Sequence, residues 1–213
     1  MTLAEVRLWG RRIAAVQWLK DQGCATFQYD PDFARSGIEV SPIEMPLNTK
    51  TVYAFRRLPF NTFRGLPGLL ADSLPDKFGN ALINAWLARQ GRRPETFNPV
   101  ERLCYTGNRG MGALEYRPAV LEPSSEAEKL NVAALVKLAG QVLSKRDQME
   151  TNLDADSELA LRQIIHVGTS AGGARAKAVV SYNESTGEVR SGETHLAPGF
   201  SHWLLKFCLL YLS

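Results

Sequence analysis

The sequence predicts an α+β fold, and three observations carry that reading. The first sixty or so residues alternate apolar and polar side chains in short runs broken by turn residues. That is the pattern of an antiparallel sheet with one wet face. Two longer stretches, 75–89 and 131–146, place apolar residues at helical spacing. A third, 164–182, reads as strand, glycine-rich turn, strand. The expected architecture is an antiparallel-sheet N-terminal domain with packed helices. A partial kinase-like N-lobe follows, built of helices plus the strand–Gly-rich loop–strand unit. The expected division is 1–118, a linker over 119–130, and a second region over 131–213.

Within the first region, Glu5–Trp9 and Arg12–Trp18 flank Gly10 and predict a hairpin. Ala25–Tyr29 alternates, then breaks at Asp30-Pro31-Asp32. Ile38–Val40 and Pro42–Met45 predict two short strands, which Pro42 and Pro46 confine to sheet edges. Trp9, Trp18, Phe27 and Tyr29 are read as core. Residues 63–91 change character. Asp72 or Ser73 is the expected cap, Pro75 an early helical position and Gly91 the stop. Phe78, Leu82, Ile83, Trp86 and Leu87 share one helical face. They predict a helix packed on the sheet, with Phe78 and Trp86 buried. Pro99–Tyr105 predicts another helix, Asn108–Gly112 a turn, and Ala113–Tyr116 a strand returning to the sheet.

Pro118–Glu128 is rich in Pro, Ser and Glu and reads as a linker. Asn131–Arg146 carries a broad apolar stripe from Val132 to Leu143. A polar interval, 147–156, and a short helix, Ser157–Gln163, lead into the glycine-rich stretch. Beyond it, Asn183–Gly187 is a hairpin turn and Val189 sits in the next strand. A strand around Lys206 closes the sequence.

Composition sets the bounds. With 213 residues and 45% hydrophobic content, the chain is long and apolar enough for one large or two small domains. The net charge of +3 is too mild to argue for nucleic acid. Three widely spaced cysteines without a C-x-x-C pair suggest neither zinc nor a disulfide framework, and a reducing, cytoplasmic setting fits. No apolar run approaches the roughly 20 residues of a membrane span, so no membrane partner is expected. His166, His195 and His202 have no metal-ligand spacing.

The chemistry is concentrated in Ile164–Val180. Glycines admit positive φ and close backbone approach, and consecutive free N–H groups in such a turn cradle a phosphate. Thr169 and Ser170 add hydroxyls; Arg175 and Lys177 add charge. Gly168 and Gly173 have Walker A spacing, but Ala174 and Arg175 stand where Lys and Ser/Thr are required. The stretch is not G-x-G-x-x-G either. What remains is a phosphate cover on strand–loop–strand, with a lysine on a following strand holding the phosphates. Lys206, inside His202–Phe207, is that lysine. Its apolar surroundings make unpaired burial costly. The competing reading is a lysine that reaches water along its stem from an edge strand.

Two motifs carry a resemblance. Phe63-x-Gly-Leu-Pro-Gly-Leu-Leu-x-Asp-Ser-Leu-Pro-Asp-x-Phe-Gly79 resembles the N-terminal region of HipA-type serine/threonine kinase toxins. So does Pro99-Val-Glu-Arg-Leu-Cys-Tyr-Thr-Gly-x-Arg-Gly-Met-Gly-Ala-Leu-x-Tyr-x-Pro118. The Ser170–Lys177 loop followed by His202-x-Leu-Leu-Lys-Phe207 also fits that family. The resemblance implies a toxin–antitoxin kinase that, in the intact family, binds ATP and magnesium and phosphorylates a translation-related protein; for this chain weak or no binding of the two is expected. It implies a helix-turn-helix antitoxin as partner and DNA contact only through that antitoxin. Ser170 takes the place of the family's regulatory autophosphorylation serine. Gly172, Gly173 and Ala174 line its phosphate loop, and Lys206 is its ATP-anchoring lysine. Two departures stand out. Arg175-Ala176 replaces a common Gln-Glu pair, and the sequence stops soon after Lys206, before any counterpart of the catalytic-loop Asp and Asn or the metal-binding Asp.

Two functions are therefore expected to compete. One is a truncated kinase toxin, inactive as a kinase by itself, with no catalytic residue assigned. The other is a non-catalytic module that docks or blocks a helix-turn-helix antitoxin. Nucleic-acid binding through Arg92-Arg93 is set aside, because a short basic patch is usually a solvated face.

Overall fold

The structure is a computed structural model that describes residues 2–110, 112–118, 129–144, 177–191 and 196–207. The chain divides into two compact units. One comprises Met1–Leu74 with Phe97–Leu121, the other Pro75–Thr96 with Glu122–Ser213. The fold is α+β, with antiparallel sheets and several helices.

The first unit is built on a five-stranded antiparallel sheet. Its strands are β1 (Thr2–Leu8), β2 (Arg11–Leu19), β3 (Cys24–Tyr29), β4 (Tyr53–Ala54) and β5 (Leu114–Arg117), in the order β4-β3-β2-β1-β5. The expected hairpin forms. Leu8 pairs with Arg11, leaving Trp9 and Gly10 as a two-residue loop with φ of 51° and 73°. Positive φ at both positions is the turn that matches strand twist. Trp9 is 78% exposed, so the expectation that it is core is corrected. At the loop tip its ring has nothing to pack on, and its backbone bears the left-handed penalty. Trp9→Asn is therefore expected to stabilise the unit by about 1 kcal/mol, read as a higher midpoint in urea. A lower midpoint would mean that the ring contributes packing.

One face of this sheet is dry. Val6, Ile13, Val16, Ala25 and Phe27 are fully buried, and Tyr29 and Tyr116 nearly so. The cover comes from α5 (Pro99–Thr106), which contacts β1, β2 and β5, and from α1 (Pro31–Ala34) on β2. Helix α5 forms where expected and begins with a complete capping box. The Asn98 side chain accepts from Glu101 N–H while Glu101 accepts from Asn98 N–H. Helix α1 is capped by Asp30, whose carboxylate accepts from the Asp32 and Phe33 amides and pairs with Arg12. Burial pushes the Asp30 carboxyl up, but the two amides and the Arg12 guanidinium outweigh it and hold it below its ordinary value.

The two short strands expected over 38–45 do not form; these residues make turns and irregular backbone. Pro42 and Pro46 have no N–H to give a ladder. Instead Met45 N–H donates to Ser41 C=O, and the fully buried Met45 side chain anchors the segment. Tyr29 Oη closes it by donating to Met45 C=O at 2.7 Å. The edge strand is β4 instead. Two single-turn helices, α2 (Phe60–Phe63) and α3 (Gly68–Ala71), complete the unit.

In the second unit, α4 (Lys77–Arg89) starts at Asp76, whose carboxylate accepts from Gly79 N–H at 2.9 Å. The expected cap at Asp72 or Ser73 is thus replaced by Asp76, and Pro75 precedes the cap. Gly91 ends the helix as expected, with φ of 65°. The Arg92 amide reaches back to Leu87 C=O and the Gly91 amide to Ala88 C=O, a closing pair for a helix end. Phe78, Leu82, Ile83 and Leu87 are buried, but Trp86 is only half-buried. Helix α4 groups with Pro75–Thr96 and Glu122–Ser213, where it contacts α6 (Val132–Ser144). That corrects two expectations: the helix that covers the first sheet is α5, and Trp86 is not fully buried. The reason is the pattern itself. The apolar positions of α4 run around more than one face, and the buried set includes Ala85 and Leu87, on nearly opposite sides of the helix.

Candidate functional site

The chemistry expected of this chain falls in the second unit. Strands β6 (Lys177–Asn183), β7 (Glu188–Ser191) and β8 (Ser201–Lys206) form an antiparallel sheet in the order β7-β6-β8. The turn between β6 and β7 is the expected one. The Asn183 side chain accepts from the Ser185 and Thr186 amides, and Gly187 takes φ of 71°. At the β7 edge of the sheet, Leu130 N–H donates to Val189 C=O at 2.8 Å, beside an antiparallel bridge between Lys129 and Arg190. Helix α6 supplies Leu135, Leu138 and Ala139, all fully buried. At its start, Asn131 accepts from Ala134 N–H.

Lys206 is the last residue of β8, an edge strand, and it is exposed. Its apolar neighbourhood in sequence does not bury it. Ser201, His202, Trp203 and Leu204 are exposed as well, and the strand is held by its register against β6 rather than by enclosure. The Trp203 ring packs edge-on against Tyr182 at 5.7 Å, and its indole N–H donates to Ser201 Oγ. Immediately after Lys206 the chain turns inward. Phe207 is buried, its ring 6.0 Å from that of Phe78 on α4. This fixes the end of β8 from below and leaves the lysine ammonium in water.

The register sets Lys206 directly opposite Lys177. Paired residues on neighbouring antiparallel strands point to the same side, so two cations share one end of the sheet. Like charges placed opposite each other are destabilising without an anion between them. Lys177 is half-buried and is the first described residue after the glycine-rich stretch. The role of Lys177 as cross-strand mate of Lys206 was not read from the sequence. The available signal was symmetry: each lysine sits at one end of an apolar run, Ala178–Val180 and Trp203–Leu205.

Ser170, Gly172, Gly173 and Ala174 lie outside the described residues, as do His166 and His195. His202 is exposed on β8. Among the described residues no group of three or more His, Cys, Asp or Glu is placed to hold a metal ion. No helix among the described residues is long and apolar enough to cross a membrane.

The two long sequence motifs are explained by architecture. In the Phe63–Gly79 motif, Gly65 takes φ of 75°, and a Cβ built there would stand 2.4 Å from Gly23 O. Gly65 C=O in turn accepts from Ala25 N–H at 2.7 Å, tying the motif to the start of β3. In the Pro99–Pro118 motif, the Arg109 guanidinium lies 5.1 Å over the Tyr105 ring and donates to the Tyr105 carbonyl. Burial lowers the Arg109 pKa, partly offset by Tyr105. A search of curated proteins finds no match to this chain. A family model described as the HipA N-terminal domain matches residues 4–117, more than half of the sequence, and the chain belongs to the HipA family.

Proposed function

We propose that the chain is a HipA-like serine/threonine-kinase component of a toxin–antitoxin pair that grips ATP phosphates without transferring them by itself. The supporting observation is the cross-strand pair Lys177 and Lys206, at the end of the sheet that follows the glycine-rich stretch. In this reading Lys206 anchors the nucleotide and Lys177 adds a second cation. The backbone amides around Gly172, Gly173 and Ala174 cover the phosphates. Phosphate on Ser170 adds about 1.5–2 negative charges and competes for the same cations. Transfer further needs metal ions and a group that orients the nucleophile, and no residue within these 213 is assigned either role. Magnesium, when bound, would neutralise phosphate charge; no ligand for it is assigned.

The test is labelled ATP with magnesium on the purified chain, beside Lys206→Ala. The expected result is no phosphate incorporation, with nucleotide binding weakened about tenfold or more in Lys206→Ala. Unchanged binding in the variant would remove the anchor role. Incorporation that depends on Lys206 would remove the claim of inactivity.

A second reading is favoured by one specific observation. The family match ends at 117, short of both lysines. The matched region then acts as a docking module for a helix-turn-helix antitoxin and reaches DNA only through it, in the cytoplasm. Co-purification with the product of an adjacent small helix-turn-helix gene supports this reading if it survives Lys206→Ala. Loss of the complex in that variant would count against it.

A further inference from the structure

One sheet edge is built unlike the others. In the first unit the edge strands are β4, of two residues, and β5, of four residues with Pro118 directly after it. Short edges and a nearby proline limit pairing with another chain. In the second unit the β7 edge is partly occupied, because Leu130 N–H donates to Val189 C=O and Lys129 bridges Arg190. Strand β8 is six residues long, and no strand among the described residues pairs with its far side. It contains no proline and no acidic residue, and its one lysine sits at its end. Ser201, His202, Trp203 and Leu204 are exposed one after another.

Both faces of β8 carry apolar surface. Trp203 lies opposite Val180 and Leu204 opposite Val179, so the two side chains point to opposite faces of the sheet. They are 48% and 49% exposed. A layer packed on one face would cover only one of them. A strand added in the plane of the sheet covers both and also takes up the free N–H and C=O groups of the edge.

Charge decides which strand fits. Lys206 already faces Lys177, so an added strand must bring no third cation there. Strand β8 of a second copy meets this condition when it runs antiparallel with Trp203 facing Trp203. In that register Ser201 faces Leu205 and His202 faces Leu204 of the second copy, and Lys206 lies beyond the last pair. Centring the pair on Leu204 instead would set His202, a group that becomes cationic in mild acid, opposite Lys206 and beside Lys177.

We propose that β8 pairs antiparallel with β8 of a second copy in the register centred on Trp203, joining two three-stranded sheets into one of six strands. The two Trp203 rings at the centre anchor the contact. A single strand pair is small beside the roughly 1,200–2,000 Å² buried in stable interfaces, so the dimer forms reversibly and with concentration. The lysine pair stays outside the paired segment of each copy, and pairing does not require nucleotide.

The experiment is sedimentation equilibrium of the full chain over a wide concentration series. The expected result is monomer at low concentration and dimer at high concentration. Trp203→Lys sets two like charges opposite each other at the centre and is expected to weaken the dimer about tenfold or more. Trp203→Glu is expected to do the same. An equimolar mixture of the two variants is expected to associate more tightly than either alone, because Lys and Glu then face each other. A chain that stays monomeric throughout overturns the proposal, as does a dimer indifferent to Trp203→Lys. A mixture that associates no better than the single variants overturns the register and the proposal with it. A monomer that instead retains an added acidic peptide along β8 also overturns it, since the occupant is then a foreign strand.

Discussion

Gly65→Ala is expected to lower the stability of the first unit by about 4 kcal/mol. Three costs combine at this position. The backbone there has φ of 75°, a left-handed conformation that costs an L side chain about 1–2 kcal/mol. The added methyl would stand 2.4 Å from Gly23 O and 3.1 Å from both Cys24 Cα and the Trp18 ring. Backbone cannot step aside as a flexible side chain can, and overpacking of this kind costs about 1–3 kcal/mol. Relief of the clash pulls Gly65 C=O away from Ala25 N–H, now 2.7 Å distant, at about 1 kcal/mol more. Urea unfolding followed by tryptophan fluorescence checks this, since Trp18 lies at the contact. Gly68→Ala serves as the matched control. It sits at the start of α3 with room for a methyl, and it is expected to be near neutral. A Gly65→Ala midpoint equal to that of Gly68→Ala would mean that the close approach to Gly23 does not hold in solution.

That contrast shows what a sequence conveys and what it withholds. Both glycines belong to the same motif, Phe63-x-Gly-Leu-Pro-Gly, and nothing local separates them. Their difference lies in the left-handed backbone at Gly65 and in its contacts with Gly23 and Trp18, which no periodicity records. The hairpin at Trp9-Gly10, helix α5 from Pro99 and the turn at Asn183 were legible, because each is decided within a few residues by φ and side-chain hydrogen bonding. The segment 38–45 misled for the opposite reason. Its alternating apolar residues imitate a strand, but Met45 is drawn into the core and two prolines withhold donors. Helix α4 was legible as a helix and not in its packing, since a buried face does not say which unit buries it.

The candidate site divides in the same way. Lys206 was visible as a cation inside an apolar run. Burial and exposure were both open readings there, and exposure holds because β8 is an edge strand rather than a central one. Its mate Lys177 emerged only once the β6–β8 register was known. Register is set by long-range pairing, and a slip of one residue would put the two lysines on opposite faces.

Phe27→Ala is expected to cost the first unit about 3–5 kcal/mol. Phe27 is fully buried in β3, paired with Val16 on β2 and with Tyr53 on β4, so both neighbouring strands enclose it. Its ring meets Tyr29 edge-on at 5.0 Å, and Tyr29 in turn lies against Phe33 and Tyr53. Truncation leaves a void bounded by strands that are hydrogen-bonded in place and collapse poorly, which puts the cost in the upper part of the large-to-small range. Tyr29→Phe probes the same cluster without a void. It removes only the hydroxyl that donates to Met45 C=O, and its expected cost is about 1–2 kcal/mol. Burial, with a smaller push from Glu39, raises the Tyr29 phenol to about 12, so the donor stays protonated across the neutral range. A raised pKa contributes stability that is complete below the ordinary value of 10.0 and is lost as pH rises towards 12. The difference between wild type and Tyr29→Phe should therefore be constant near neutrality and shrink above pH 10, while the Phe27→Ala deficit persists across the range. Calorimetry of the three proteins at neutral and alkaline pH checks the pair. A Phe27→Ala cost no larger than that of Tyr29→Phe would show that the sheet closes over the missing ring, and that the dry face is softer than the enclosed packing of Phe27 implies.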